Sequence, residues 1–338
     1  MIFSWQMQIW QKLWQARRAE RLPHALLFSG IPGIGKTSLA EHFSRALLCQ
    51  QPTDKIEIAC QTCHACRLIS GGVHPNCLWI TPEKEGQAIK IDQIREASDF
   101  IAQTSLQGEY RILIIHPADQ LNMNAANALL KTLEEPPQAA IIILINNQSG
   151  RLPATILSRC QRFNFARPAK QQALVWLKEE MARDKKELAA DQDHAELLLR
   201  IANGAPLTAL KWLREEVLPI REQFFQLLYQ LGQGQADPLT LAAQFQSVEP
   251  LSLIDFMLSW MVDLLLIQLH GQLVEIKNQD FKQQLAAMQQ QTQLKHNTNL
   301  LVYLQQLRSQ LCAGINFNKQ LMLESILIRW MECATCSS

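Results

Sequence analysis

Two groups of residues in this chain have the types and spacing to do chemistry. The first is Gly30-Ile31-Pro32-Gly33-Ile34-Gly35-Lys36-Thr37, which fits the phosphate-binding pattern G-x-x-x-x-G-K-[ST]. Glycines at these places let backbone N–H groups close around phosphate oxygens, and the following helix N-terminus adds partial positive charge. A lysine at Lys36 reaches the outer phosphates, and a hydroxyl at Thr37 ligates Mg2+. The second group is Cys49 with Cys60-x-x-Cys63-x-x-Cys66. Three thiolates at that spacing converge from one tight turn, and a fourth completes the closed tetrahedral sulfur site that structural Zn2+ prefers. Closed coordination leaves no open position for catalysis, so the expected role is to staple a loop. Cys77 competes with Cys49 for the fourth position, and unmetallated thiols are the bland alternative. A redox role is weaker, because a third cysteine crowds the pair. Cys333-x-x-Cys336 near the chain end reads as incidental.

Each group needs elements to hold it. Ala25-Leu26-Leu27-Phe28 ahead of the glycines reads as a buried strand, and Thr37 to Leu48 has apolar residues at helical spacing. That context separates a working phosphate loop from a chance glycine-rich turn. Residues 5–20 read as a helix with Trp10, Leu13 and Trp14 on one face, and the cysteine loop occupies about 50–72. Leu78-Trp79-Ile80, Ile112–Ile115, Ala140–Ile145 and Phe163-Asn164-Phe165 read as strands. Ile91–Ile101 and Ala125–Glu135 read as helices, the latter capped by Asn122 and stopped at Pro136-Pro137. Buried strands alternating with helices imply a parallel sheet covered on both faces. In such sheets ligands bind at the carboxyl ends of the strands. Residues 169–210 read as short helices, and from about 215 the apolar period is helical to the end. Leu251–Leu269, Leu300–Leu311 and Gln320–Met331 are the clearest pieces, and Gln284–Gln293 reads as a solvated helix or its connection.

The bulk numbers describe an ordinary globular chain: 338 residues, 48% apolar and 19% charged, with formal net charge +1. No large basic footprint argues for autonomous nucleic-acid binding. No apolar run approaches the roughly 18 residues needed to span a bilayer; Phe256 to Leu269 is interrupted by Asp263 and Gln268. The start, Met1-Ile2-Phe3-Ser4-Trp5, lacks a basic segment and a cleavage site, so the expectation is a cytoplasmic protein without a membrane partner. In that compartment the nine cysteines are metal ligands or free thiols rather than disulfides.

A phosphate-loop ATPase that hydrolyses needs an acid at the end of a second strand. The strand that fits is Ile112–Ile115, and the next residues are His116 and Pro117. Neither supplies a carboxylate, and Asp119 is expected to point elsewhere. The chain is therefore expected to hold nucleotide and hydrolyse it poorly. The competing view brings an acid from another strand.

The segments His24-Ala25-Leu26-Leu27-Phe28, the four cysteines, Asn127-Ala128-Leu129-Leu130-Lys131-Thr132-Leu133-Glu134-Glu135-Pro136-Pro137 and Ser158-Arg159-Cys160 are together specific. On them the chain resembles the delta-prime subunits of bacterial DNA polymerase III clamp loaders, which are AAA+ proteins, from about Leu22 to near Met331. Gly314-Ile315-Asn316 ahead of a long apolar helix is similar too. The resemblance implies an α/β AAA+ module over 1–166 with a zinc-binding insertion at about 49–66, a helical lid over 167–209 and an all-α collar over 210–338. It implies a hetero-pentameric ring with the motor gamma/tau and delta subunits, which loads the sliding clamp onto primed DNA. The chain would thus belong to a DNA-directed DNA polymerase holoenzyme. It also implies that Arg159 acts in trans as an arginine finger on a neighbour's site. Leu207 stands where hydrolysing subunits carry a second-sensor arginine, and Asn146 or Asn147 stands at the first-sensor position. ATP with Mg2+ at Gly30, Gly33, Gly35, Lys36 and Thr37 stays open. The alternative is a catalytically active AAA+ ATPase, a motor subunit or related remodeller.

Overall fold

The apolar run Ala25–Ser29 (β1) is an inner strand of a five-stranded parallel sheet in the computed structural model. The structure describes residues 2–52, 58–84, 87–103, 110–147, 152–183, 192–271, 274–312, 315 and 317–335. The other strands are Cys77–Ile80 (β2), Arg111–Ile115 (β3), Ala140–Asn146 (β4) and Gln161–Asn164 (β5), in the order β2-β3-β4-β1-β5. The chain divides into two compact units, Met1–Leu210 and Lys211–Ser338.

The first unit surrounds the sheet with Met7–Arg18 (α1), Lys36–Leu48 (α2), His64–Ser70 (α3), Ile91–Ala102 (α4), Met123–Glu134 (α5) and Ala154–Leu157 (α6). Lys170–Arg183 (α7), Gln192–Ile201 (α8) and Pro206–Arg214 (α9) follow the sheet, α9 running on past the unit boundary. Successive strand side chains face opposite sides. Leu26, Phe28, Ile112 and Ile114 pack in one cluster with Trp10 and Phe43. Leu27, Leu113 and Ile115 pack in another with Ile94 and Leu129. Both faces are thus covered, which is why β3 and β4 are continuous apolar runs rather than alternating ones. Asn122 caps α5, its side chain accepting from the Ala125 N–H.

Two expectations shift. The last strand begins at Gln161 and stops at Asn164, two residues earlier than its aromatic pattern suggests at its start. It is an edge strand with mostly exposed side chains, so no buried run marks it. The cysteine loop contains a helix, α3, because the Cys63 sulfur accepts from the Cys66 N–H and caps it.

The second unit is helical: Val217–Gly232 (α10), Pro238–Gln244 (α11), Pro250–His270 (α12), Lys282–Gln291 (α13), Leu294–Cys312 (α14) and Lys319–Thr335 (α15). The glutamine-rich stretch is α13, held by its buried Leu285 and Met288. Gly314, Asn316 and Cys336 lie outside the described residues. Among those described, α12 is the one helix long and apolar enough to cross a membrane, against the expectation that no segment has that length; half of its apolar window is buried in this unit. Its middle carries a fully buried acid, Asp263. The Asp263 carboxylate accepts from the Lys277 N–H at 3.0 Å and from the Asn278 N–H and Nδ2 at 2.7 Å each. Arg221, also buried, donates to Asn278 Oδ1 at 2.6 Å and pairs with Asp280. A buried carboxylate with three donors contributes through each of them, and its loss orphans the donors. Asp263→Ala is therefore expected to destabilise this unit by about 3 kcal/mol. Amide hydrogen exchange checks it: protection at Lys277 and Asn278 should fall together, and unchanged protection contradicts the network's role.

Candidate functional site

The register of the sheet puts Ser29, the last residue of β1, beside Asn146 of β4 and Asn164 of β5. The glycine-rich loop leaves from this point, at the carboxyl ends of the strands. Gly33 and Gly35 sit at φ +75° and +90°, a region in which a side chain is strained. Space forbids one as well: a Cβ on Gly33 would lie 1.9 Å from Thr208 Oγ1, and one on Gly35 would lie 2.5 Å from Gln6 Nε2. A Cβ on Gly30 would lie 2.6 Å from the Phe165 carbonyl oxygen. All three glycines are thus required by the local geometry. Gly35 precedes the first residue of α2, so the loop opens directly onto a helix N-terminus.

Lys36 is buried, and its Nζ donates to the carbonyl oxygens of Gly30 at 2.8 Å and Ile31 at 2.7 Å. Burial lowers its pKa to about 8, with the charge of Asp119 opposing the shift. Thr37 Oγ1 lies 3.4 Å from His116 Nε2. Burial also lowers the pKa of His116, helped by the Lys36 charge and opposed by Asp119. The group beside the Thr37 hydroxyl is thus a neutral imidazole, not a carboxylate. The loop suits a polyphosphate, whereas its support for a magnesium ion is limited to Thr37.

Asp119 corrects one expectation. The short turn Ala118–Gln120 carries its carboxylate back to the end of β4, where Oδ1 accepts from the Asn147 N–H at 2.8 Å. From there its charge reaches both Lys36 and His116. A side chain that leaves a strand end can return to the neighbouring strand, and a count of residues along the chain does not reveal it.

Two further segments pack on the loop. Trp5 Nε1 and Gln6 Nε2 both donate to the Ile34 carbonyl oxygen, at 3.1 and 3.0 Å. Phe3 stacks on Trp5 at 4.8 Å, and both meet Trp176 of α7 edge-on. From the other side the Leu207 N–H donates to the Gly33 carbonyl oxygen at 3.0 Å. Sequence reasoning missed the role of Phe3, Trp5 and Gln6; the signal was two aromatic residues ahead of a helix whose apolar face begins only at Trp10.

The four cysteine sulfurs lie within 4.8 Å of one another. Cys49 and Cys60 are 3.6 Å apart, Cys49 and Cys63 3.9 Å, and Cys60 and Cys66 4.0 Å. A tetrahedron with zinc–sulfur bonds of ~2.3 Å has edges of ~3.8 Å, so the donor set fits that ion. Backbone N–H groups of Cys60, Cys63 and Cys66 point at the sulfurs of Cys49, Cys60 and Cys63. Such donors stabilise thiolates. Hydrogen bonds from the Thr62 hydroxyl and then from the Cys63 N–H lower the Cys60 pKa to about 6. Cys49 ends α2 and Cys63 starts α3, so an ion here ties the phosphate-loop helix to the insertion. Cys77 lies on β2, outside this group, with its thiol pushed up to about 12 by burial.

Arg159 follows the short α6, and its side chain is 35% exposed. Nη1 donates to the Thr155 carbonyl oxygen at 2.9 Å and to Ser158 Oγ at 3.3 Å. Nη2 meets Glu134 Oε1 at 2.6 Å. The neighbouring Cys160 is half-buried, and burial raises its thiol pKa to about 11, so it is a packing residue rather than a nucleophile.

With that geometry in place, comparison with known proteins adds the following. A family model described as DNA polymerase III, delta subunit, matches residues 5–169, and the C-terminal model of the same description matches residues 215–332. The DNA polymerase III subunit delta' of Pseudomonas aeruginosa is 32% identical over 329 residues, covering 97% of each chain. That of Escherichia coli K12 is 29% identical over 330 residues, 97% of this chain and 94% of its own. A DNA polymerase III gamma subunit-related protein of Thermotoga maritima is similar in structure, with TM-score 0.46 and 18% identity over 95% of this chain and 99% of its own.

Proposed function

The chain belongs to the family of DNA polymerase III delta-prime subunits and is a clamp-loader subunit, and on that premise we propose that it does not cut nucleotide itself but lends Arg159 in trans to a neighbouring ATPase subunit. The observation that carries this reading is the pair at the end of β3. A hydrolysing site places a carboxylate beside the loop threonine to hold magnesium; here Thr37 faces His116, and Pro117 follows. Lys36 and the loop amides supply binding for a triphosphate, and neither His116 nor Pro117 supplies the carboxylate that holds magnesium in a hydrolysing site. Arg159 in turn is a partly exposed guanidinium just after a short helix, without a core role. A planar fork of donors suits the spread charge of a transferring phosphoryl group.

The partners in this reading are the gamma/tau and delta subunits of a hetero-pentameric ring, which places the sliding clamp on primed DNA. Among the described residues, Val262, Leu269, Val302, Leu321 and Ile328 are exposed apolar side chains on three helices of the helical unit and are available to such neighbours. Zn2+ held by Cys49, Cys60, Cys63 and Cys66 stabilises the first unit and takes no part in turnover.

The alternative, an active motor, has one observation in its favour: the Asp119 charge reaches Lys36 and His116. A steady-state ATPase assay on the isolated chain separates the two. Turnover is expected to equal the blank and to be the same for Lys36→Ala. Lys36-dependent turnover near the ~10 s⁻¹ typical of enzymes would establish the motor instead.

A further inference from the structure

Three segments far apart in sequence meet at the C-terminal end of α5. His24, just ahead of β1, places Nε2 3.1 Å from the Leu133 carbonyl oxygen. The next residue, Glu134, carries the carboxylate that Arg159 Nη2 reaches at 2.6 Å. Glu134 is the last residue of α5, and Pro136 and Pro137 stop the chain from continuing as helix. An acid at this place faces the negative end of the helix dipole, which is unfavourable. Helix stability therefore gives no reason for a carboxylate here; its partner does.

The guanidinium has five N–H donors in one plane. Two on Nη1 go to Thr155 and Ser158, and Nη2 forms an ion pair with the Glu134 carboxylate. These contacts come from two separate segments and fix the plane of the group. The Nε–H and the Nη2–H groups take part in neither of the two Nη1 hydrogen bonds. Without Glu134, only contacts within the arginine's own short segment remain, and these leave a long side chain several rotamers.

We infer that Glu134 is a positioning residue for Arg159, braced through the His24–Leu133 contact, and that it holds the guanidinium with part of its donor fork directed to a phosphate oxygen of a neighbouring subunit's nucleotide. This rests on the reading of Arg159 as a finger in trans. A bystander surface ion pair would have the same geometry and no effect on turnover.

The test is ATP turnover by the reconstituted clamp loader carrying variants of this subunit. An exposed pair of this kind sets an effect of roughly 2–5-fold. Glu134→Ala should lower kcat by that factor with KM for ATP unchanged. Glu134→Gln, which keeps the shape and loses the charge of the ion pair, should lower it by a similar factor. On an Arg159→Ala background Glu134→Ala should add nothing, since the pair acts as one unit. Both Glu134 variants should keep the wild-type unfolding temperature. Wild-type kcat in Glu134→Ala, with Arg159→Ala impaired, overturns the positioning role and leaves the finger standing. A Glu134→Ala loss that persists on the Arg159→Ala background also overturns it. Wild-type kcat in Arg159→Ala overturns both.

Discussion

Arg159→Ala in the assembled clamp loader is expected to lower ATP turnover at the site it serves by ~10³-fold, the lower end of what an arginine finger contributes. Total ATPase should fall less, because any site in the assembly that this residue does not serve keeps its turnover. The effect is electrostatic. The transferring phosphoryl group spreads negative charge over its oxygens, and a fixed cation there stabilises the transition state more than the ground state. Arg159→Lys should not rescue the activity. Lysine brings the charge but not the planar fork, and it cannot keep the contacts to Thr155, Ser158 and Glu134 together while still reaching outward. The subunit itself should stay folded, since exposed ion pairs contribute at most about 1 kcal/mol. Single-turnover ATPase kinetics, with a thermal melt of the free subunit, separate lost chemistry from lost structure. Unchanged turnover would contradict the finger.

The second large effect concerns the cysteines. Purified protein should hold one zinc per chain, and replacing Cys49, Cys60, Cys63 and Cys66 together by Ser should remove it. Structural zinc contributes about 10–16 kcal/mol where a small domain depends on it wholly. Here only the insertion and the end of α2 depend on it, since the apolar clusters on the sheet stand without it. A loss of about 3 kcal/mol follows, or about 6–12 °C in the melting of the first unit. Acid should release the ion as well. The ligands bind as thiolates, so lowering the pH protonates them and weakens binding. Elemental analysis across a pH series, beside the melts, measures both. Zinc-loaded protein that melts at the same temperature as the Ser variant would refute the staple.

Features set by local chemistry could be read from the sequence. The phosphate loop is one, because its strand, glycines and helix are consecutive. The cap at Asn122 is another, and so is the cysteine group, whose members span few residues. Features that depend on tertiary return could not. Asp119 swings back to the Asn147 N–H after a turn. His24 meets Leu133, and Glu134 meets Arg159, although each of these segments was recognisable by itself. The helix inside the cysteine loop begins on a sulfur cap rather than on the usual hydroxyl or carboxylate, so the ordinary start signal was missing. The length of α12 was hidden by Asp263, a residue that counts against an apolar run until its three donors are known.

A structure of the assembled loader, with a non-hydrolysable triphosphate in the subunit adjoining this one, would show where Arg159 points. The Arg159 guanidinium should lie within hydrogen-bonding distance, about 3 Å, of an oxygen on the neighbour's terminal phosphate, with no carboxylate beside Thr37. An Arg159 that faces solvent with no phosphate in reach would contradict the account.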